Sequence, residues 1–351
     1  MRRIALISLF SMVSALLIAE DLSPALEGGE PSQVDLRPHF RAVLRGKYEH
    51  SLTDTEFGRF NIRNARAVLR GNANDWISYQ VQADMSDEGV FRLLDADVRL
   101  RPTQNLTLRF GQTFLPFIHT HLVGPGQIIF ANRSFVNRYM SGPTRDLGAL
   151  AEYHFWVADL PVALVGAVFN GKGINSPLWV NDLGYAFRLT VGSLDDIQYS
   201  IKTAQMTNAS AQKNELYGID FRYFRDGLTI EAEVVRGNYI SDQTLLEQTS
   251  QRVGWQLFAG QIIKTDKTFL KYIEPTVRWD MMGLANADDF SDANRLTLGM
   301  NFGLTSTYRR TELRLNYEKY FVDDDKAPIY FGTNEFIWHD KVTLELLLNI
   351  N

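Results

Sequence analysis

Apolar and polar residues alternate at period two in segments spread along this whole chain. That confines the fold to extended strands whose two faces meet different surroundings. Leu183, Tyr185, Phe187, Leu189 and Val191 share one face of a segment whose other face is Gly184, Ala186, Arg188, Thr190 and Gly192. The pattern returns in Tyr217, Ile219, Phe221 and Tyr223 set against Gly218, Asp220 and Arg222. It returns again in Leu296 to Leu304 and in Leu313, Leu315 and Tyr317 set against Glu312, Arg314, Asn316 and Glu318. Val342, Leu344, Leu346, Leu348 and Ile350 end the chain on the same note. Charges gathered on one face make that face wet.

Marking each such run predicts strands over 36–48, 59–71, 74–84, 91–101, 105–115, 147–155, 162–170, 183–192, 195–205, 215–225, 228–237, 252–262, 269–281, 294–304, 309–321 and 339–350. The second, sixth and seventh alternate poorly. Sixteen is an even number. Connections after even-numbered strands are mostly tight (Asn72-Ala73, Pro102-Thr103-Gln104, Ser193-Leu194, Asp226-Gly227), whereas those after odd-numbered strands are longer, as in 171–182, 238–251, 282–293 and 322–338. Short turns on one rim and long loops on the other characterise outer-membrane barrels. A soluble β-sandwich would use the same alternation with its apolar faces packed together. One closed sheet accounts better for sixteen amphipathic strands with no helical segment and no linker, and closure removes exposed edges. The expected fold is all-β: a transmembrane antiparallel β-barrel.

The N-terminus fits an exported chain. Arg2 and Arg3 precede an apolar stretch over 4–18, and Glu20 and Asp21 follow Ala19, the layout of a secretory signal peptide over 1–19 with a barrel domain over 20–351. An uncleaved single-helix anchor is the alternative, but the run falls short of the ~20 residues a spanning helix needs. Mean hydropathy is slightly negative, as a barrel allows, since only every second strand residue meets lipid. Net charge is −5, and removing two leader arginines leaves about −7, which argues against nucleic acid as a partner. The absence of cysteine excludes a disulfide framework, thiol catalysis and thiolate metal sites. The expected location is the outer membrane of a Gram-negative bacterium, with outer-membrane lipid around the barrel.

Residues 116–146 form the longest insertion, broken by Gly124-Pro125-Gly126 and Gly142-Pro143. In a barrel of this size such a loop is expected to fold inward and narrow a wide lumen. It is basic, with Arg133, Arg138 and Arg145 against Asp146 alone. By parity Arg37, Arg41, Arg45 and Lys47 line the lumen beside it, alternating with outward Phe40, Ala42, Leu44 and Tyr48. Arg99, Arg101 and Arg109 alternate in the same way with Val98, Leu100, Leu108 and Phe110. Arg63 joins them, with Arg66 on the opposite parity, which a bulge in this strand would reconcile. Arginine suits a permeating anion, because its planar fork offers several donors, and a ring of such charges favours anions over cations. The alternative is that these cations pair with Asp95, Asp97, Glu152, Asp220, Glu231, Glu233, Glu274, Asp280, Glu312 and Glu318, leaving a transverse field and weak selectivity. Sequence alone does not pair them.

Four segments resemble the phosphate-selective porin O and P family. They are Phe60-Asn-Ile-Arg-Asn-Ala-Arg66 leading into Gly71, Leu106-Thr-Leu-Arg-Phe-Gly-Gln112 with Leu115-Pro-Phe117, Arg145-Asp-Leu-Gly148, and Leu296-Thr-Leu-Gly-Met-Asn-Phe302. The resemblance covers most of the mature chain and lies in the order and spacing of these segments. It implies a sixteen-stranded homotrimeric channel with an inward third loop, passing small anions such as phosphate. It also implies that Arg63 is a basic residue of strand two and that Arg133 and Arg145 belong to the constriction. The family's basic pair beside Ala65 reads Arg63-Asn64 here.

Other motifs carry little. His119 and His121 lie close on a loop without nearby carboxylates, so no metal is expected, and no cofactor fingerprint is present. No nucleophile elbow appears, and His154 and His339 have no evident catalytic partner. Asp288, Asp289 and Asp292, with Asp323, Asp324 and Asp325, make acidic loop tips. Tyr48, Trp76, Tyr153, Trp156, Trp279, Tyr308, Tyr320 and Trp338 fall near strand ends, where interfacial girdles sit. The expected function is passive diffusion of small solutes through a water-filled porin. A non-conducting structural or adhesive barrel is the alternative.

Overall fold

The computed structural model describes residues 35–52, 57–117, 124–140, 144–207, 213–238, 251–285, 293–323, 331 and 338–350. The predicted leader, His119, His121 and most of the acidic loop tips lie outside them.

Sixteen strands follow one another. They are β1 (His39–Ser51), β2 (Gly58–Asn72), β3 (Ile77–Asp87), β4 (Val90–Leu100), β5 (Leu106–Phe114), β6 (Arg145–Val157), β7 (Leu160–Phe169) and β8 (Gly184–Gly192). Then come β9 (Ile197–Thr207), β10 (Lys213–Arg225), β11 (Leu228–Gly237), β12 (Arg252–Gln261), β13 (Tyr272–Leu284), β14 (Ala293–Gly303), β15 (Thr311–Val322) and β16 (Lys341–Ile350). Beyond Ile262, β12 resumes as Ile263–Lys264, still paired with β13. Every strand is antiparallel to its sequence neighbour, and β1 returns to β16, with Ala42 opposite Ile350 and Ser51 opposite Lys341. The sheet is closed and has no edge.

The faces decide between barrel and sandwich. Leu44 and Leu346 point outward at 47% and 51% exposure, whereas Arg45 and Glu345, their chain neighbours, point inward at 2% and 0%. A soluble sandwich would bury the leucines. An apolar face this extensive far exceeds what a water-soluble monomer exposes, so the outer wall is built for lipid.

Each predicted strand lies within three residues of an observed one. One connection departs from the long-loop rule: β3 runs on to Asp87 and meets β4 through Glu88-Gly89, both at positive φ (55° and 92°), a two-residue hairpin turn. The poor alternation of the second, sixth and seventh predicted strands has two causes. In β2, Arg45 faces Asn64 and Gly46 faces Ile62, so Arg63 is an inserted residue. In β6 and β7 the inward face is itself apolar at Leu150, Ala167 and Phe169, because part of the crossing loop packs there.

Three expected placements are corrected. Arg37 precedes β1, is exposed, and pairs with Asp35 at 2.9 Å, which with a second, backbone hydrogen bond lowers the Asp35 carboxyl to about 2. Tyr320 is an inward residue whose hydroxyl donates to Glu318 at 3.0 Å. Trp338 is buried in the lumen, 6.2 Å from Phe331. Tyr153 remains outward and exposed, as a girdle requires, whereas Trp76 and Trp156 are exposed at the turn rim on the inward parity of their strands.

Candidate functional site

The loop between β5 and β6 folds into the barrel. Among its described residues a short helix, α1 (Phe135–Tyr139), is capped by Ser134, whose hydroxyl accepts the Asn137 N–H at 3.3 Å. Polar wall residues hold the loop by its backbone. Arg45 donates to the Ala131 carbonyl (2.9 Å), Arg278 to that of Asn132 (2.9 Å), Arg295 to that of Arg133 (2.7 Å) and Asn301 to that of Ile129 (3.0 Å). In the other direction the Ala131 N–H donates to Asn316 (2.7 Å) and the Phe135 N–H to Asp280 (2.8 Å). The loop's apolar side chains then pack beside these anchors. Phe135, Val136, Tyr139 and Met140 join Met282, Ala293, Phe331 and Trp338 in one buried cluster. A Cβ at Gly254 would collide with the Met140 sulfur, so glycine lets the loop approach β12 closely.

Most of the predicted cations have carboxylate partners, and two of the wall residues, Arg45 and Lys47, also reach the loop. Arg45 pairs with Glu345 (2.7 Å), Lys47 with Glu49 (2.8 Å), Arg63 with Asp87 (2.6 Å) and Arg145 with Asp95 (2.8 Å). Arg99 pairs with Asp97 (2.8 Å) and Arg109 with Glu152 (3.4 Å). Arg41 and Arg101 are half-buried towards the turn rim, away from the loop. Arg133 is half-buried and Arg138 exposed. The bulge brings Arg63 and Arg66 inward together, and Asp84 takes Arg66 at 3.3 Å. Because the bulge residue is extra, deleting Arg63 is expected to leave a folded, heat-modifiable barrel with one inward cation fewer. A misfolded deletion variant, judged by gel mobility, would show that β2 needs the bulge for closure.

Burial, followed by repulsion from Arg63, Arg66, Arg45 and Arg145, pushes Arg133 well below the ordinary guanidinium value. A guanidinium keeps its proton in proteins, so Arg133 stays a cation among cations. Three inward cations, Arg278, Arg295 and Lys341, lie beyond the first five strands and are not among those expected from sequence. Applied to β13, β14 and β16, the parity rule finds all three. Arg295 reaches Asp280 (3.0 Å) and Glu318 (3.4 Å), and Lys341 is half-buried with its ammonium over the Tyr320 ring at 5.2 Å.

A closed sixteen-stranded barrel with a lipid-facing wall, a charged lumen and a crossing third loop has the fold of the outer-membrane porins. Among solved structures it is similar to Salmonella typhi OmpF in complex with daunomycin, at 11% identity and TM-score 0.65, covering 89% of this chain and 97% of that one. It is similar also to the outer membrane channel DcaP of Acinetobacter baumannii, at 11% identity and TM-score 0.58, covering 92% and 99%. A third is OmpT, an outer membrane protein of Vibrio cholerae, in a trimer form, at 11% identity and TM-score 0.55, covering 89% and 99%. At such identities the likeness is one of fold. No family model matches the chain, and no curated protein matches it in sequence.

Proposed function

We propose that this chain forms a water-filled outer-membrane channel for passive diffusion of small solutes, favouring small anions with phosphate among them, and that it assembles as a homotrimer. One observation carries the anion preference. The inward strand carboxylates are buried, with Asp84, Asp280, Glu318 and Glu345 at 0% exposure, while Arg63, Arg133, Arg138 and Arg145 keep contact with solvent. Asp87 and Glu88 do reach water, at the β3–β4 turn, and both lie against Arg63. A solute in the lumen would therefore meet mainly guanidinium edges, with carboxylates behind them. The trimer is carried over from the trimer form of the fold neighbour OmpT.

A second reading has its own support. The aromatic cluster of Phe135, Tyr139, Phe331 and Trp338 fills part of the lumen, as it would in a structural or adhesive barrel that does not conduct. Planar bilayers under a salt gradient separate the readings. The expected result is an ohmic conductance with its reversal potential shifted towards the anion. A shift towards the cation would overturn the charge argument, and silence from heat-modifiable protein would favour the second reading.

A further inference from the structure

Four strands carry one transverse row on the outer wall. Phe187 of β8 pairs with Thr203 of β9, Thr203 with Tyr217 of β10, and Tyr217 with Arg236 of β11. The row nearer the long-loop rim is polar: Tyr185 donates to Gln205, and Tyr217 reaches up to Glu215 at 3.1 Å. The row nearer the turns is apolar, with Ile201, Ile219 and Val234 in register. Between them runs an open groove of about 370 Å³, bordered by Phe187, Ile201, Tyr217, Val234 and Arg236. It passes from a polar rim to an apolar wall, as an amphiphile does.

Arg236 is the anomaly. It points away from the lumen, is exposed, and makes no ion pair with any described residue. A guanidinium on a lipid-facing wall is costly at mid-depth and cheap only near the interface. Arg236 lies eight residues along β11 from Leu228, about 27 Å along the strand and roughly 20 Å in height once tilt is allowed for. That is near the upper edge of an apolar band ~25 Å tall, on the long-loop side. Lys213 adds a second outward cation two rows higher, against one acid, Glu215, so the patch is net positive.

We propose that this groove binds a phosphorylated glycolipid of the outer leaflet, with a phosphate on Arg236 and an acyl chain along Ile201, Ile219 and Val234. Thr203 and Tyr217 carry the hydroxyls nearest that phosphate. The apolar row below accepts a hydrocarbon tail, and the cation above it matches the headgroup charge.

Native mass spectrometry of the delipidated, folded protein titrated with bisphosphorylated lipid A tests this, with dephosphorylated lipid A and phosphatidylglycerol as competitors. The wild type is expected to prefer the phosphorylated glycolipid. Arg236→Leu is expected to weaken it about fivefold, the worth of one interfacial cation, while Arg236→Lys retains most of the binding. Arg225→Leu, which removes an outward cation at the opposite rim, is expected to change nothing. Equal binding by wild type and Arg236→Leu, equal loss from both leucine variants, or indifference to the phosphates would each overturn the proposal. So would a preference for phosphatidylglycerol. None of these outcomes bears on conductance, so this test and the channel test fail separately.

Discussion

Replacing Arg133, Arg138 and Arg145 together with glutamine is expected to lower the anion-to-cation permeability ratio about tenfold. A unit charge ~8 Å from a permeating ion in a water-like medium contributes about 0.5 kcal/mol, and salt roughly halves it at that distance. Three such charges shift anion and cation by about 0.7 kcal/mol each in opposite directions, about 1.4 kcal/mol in the ratio. The sign follows from what each removal uncovers. Arg145 lies against buried Asp95 at 2.8 Å, so its loss leaves a carboxylate unbalanced beside the loop as well as a cation missing. The Arg145→Gln effect should therefore shrink when Asp95→Asn accompanies it, a coupling that a double-mutant cycle on reversal potentials measures. Arg133 and Arg138 sit on the loop itself, so their neutralisation should act without such coupling to Asp95. An unchanged permeability ratio in the triple variant would remove the loop from the mechanism and return selectivity to the wall.

The strands were legible in the sequence because lipid on one side and water on the other impose period two on every residue between the rims. Legibility failed wherever a third environment intruded. On β6 and β7 the inward face meets the apolar start of the loop at Leu115 and Phe117, so both faces read as apolar. In β2 a single inserted residue put Arg63 and Arg66 on apparently opposite faces, although both turn inward. Trp338 looked like a girdle residue by its position near a strand end, yet it packs on Phe331 in the lumen. The ion pairs were out of reach for a different reason. Arg45 and Glu345 lie 300 positions apart and meet only because β16 closes on β1. The acids named as possible partners do take up many of the cations, as Arg145 does Asp95 and Arg295 does Asp280. What pairing leaves is an asymmetry of exposure, which composition does not encode.

Asp280→Ala is expected to release the loop from the wall while leaving the barrel closed. Asp280 is fully buried and gathers three partners: the Phe135 N–H at 2.8 Å, Arg295 at 3.0 Å and Arg278 at 3.2 Å. Removing the carboxylate leaves two buried guanidiniums short of counter-charge, a penalty of about 3–5 kcal/mol for breaking a buried pair. Sixteen strands of ladder hydrogen bonds hold the sheet, so the strain falls on its least stable neighbour, the loop segment around α1. The same two arginines donate to the Asn132 and Arg133 carbonyls, and their reorientation towards water withdraws those bonds too. Single-channel recordings should then show larger, noisier conductance, and trypsin should cut the folded barrel after Arg133 or Arg138, where the wild type resists. Asp280→Asn keeps an acceptor for the Phe135 N–H and removes only charge, so it should fall between the two. Wild-type conductance and protease resistance in Asp280→Ala would place the loop's anchorage in its aromatic cluster with Phe331 and Trp338.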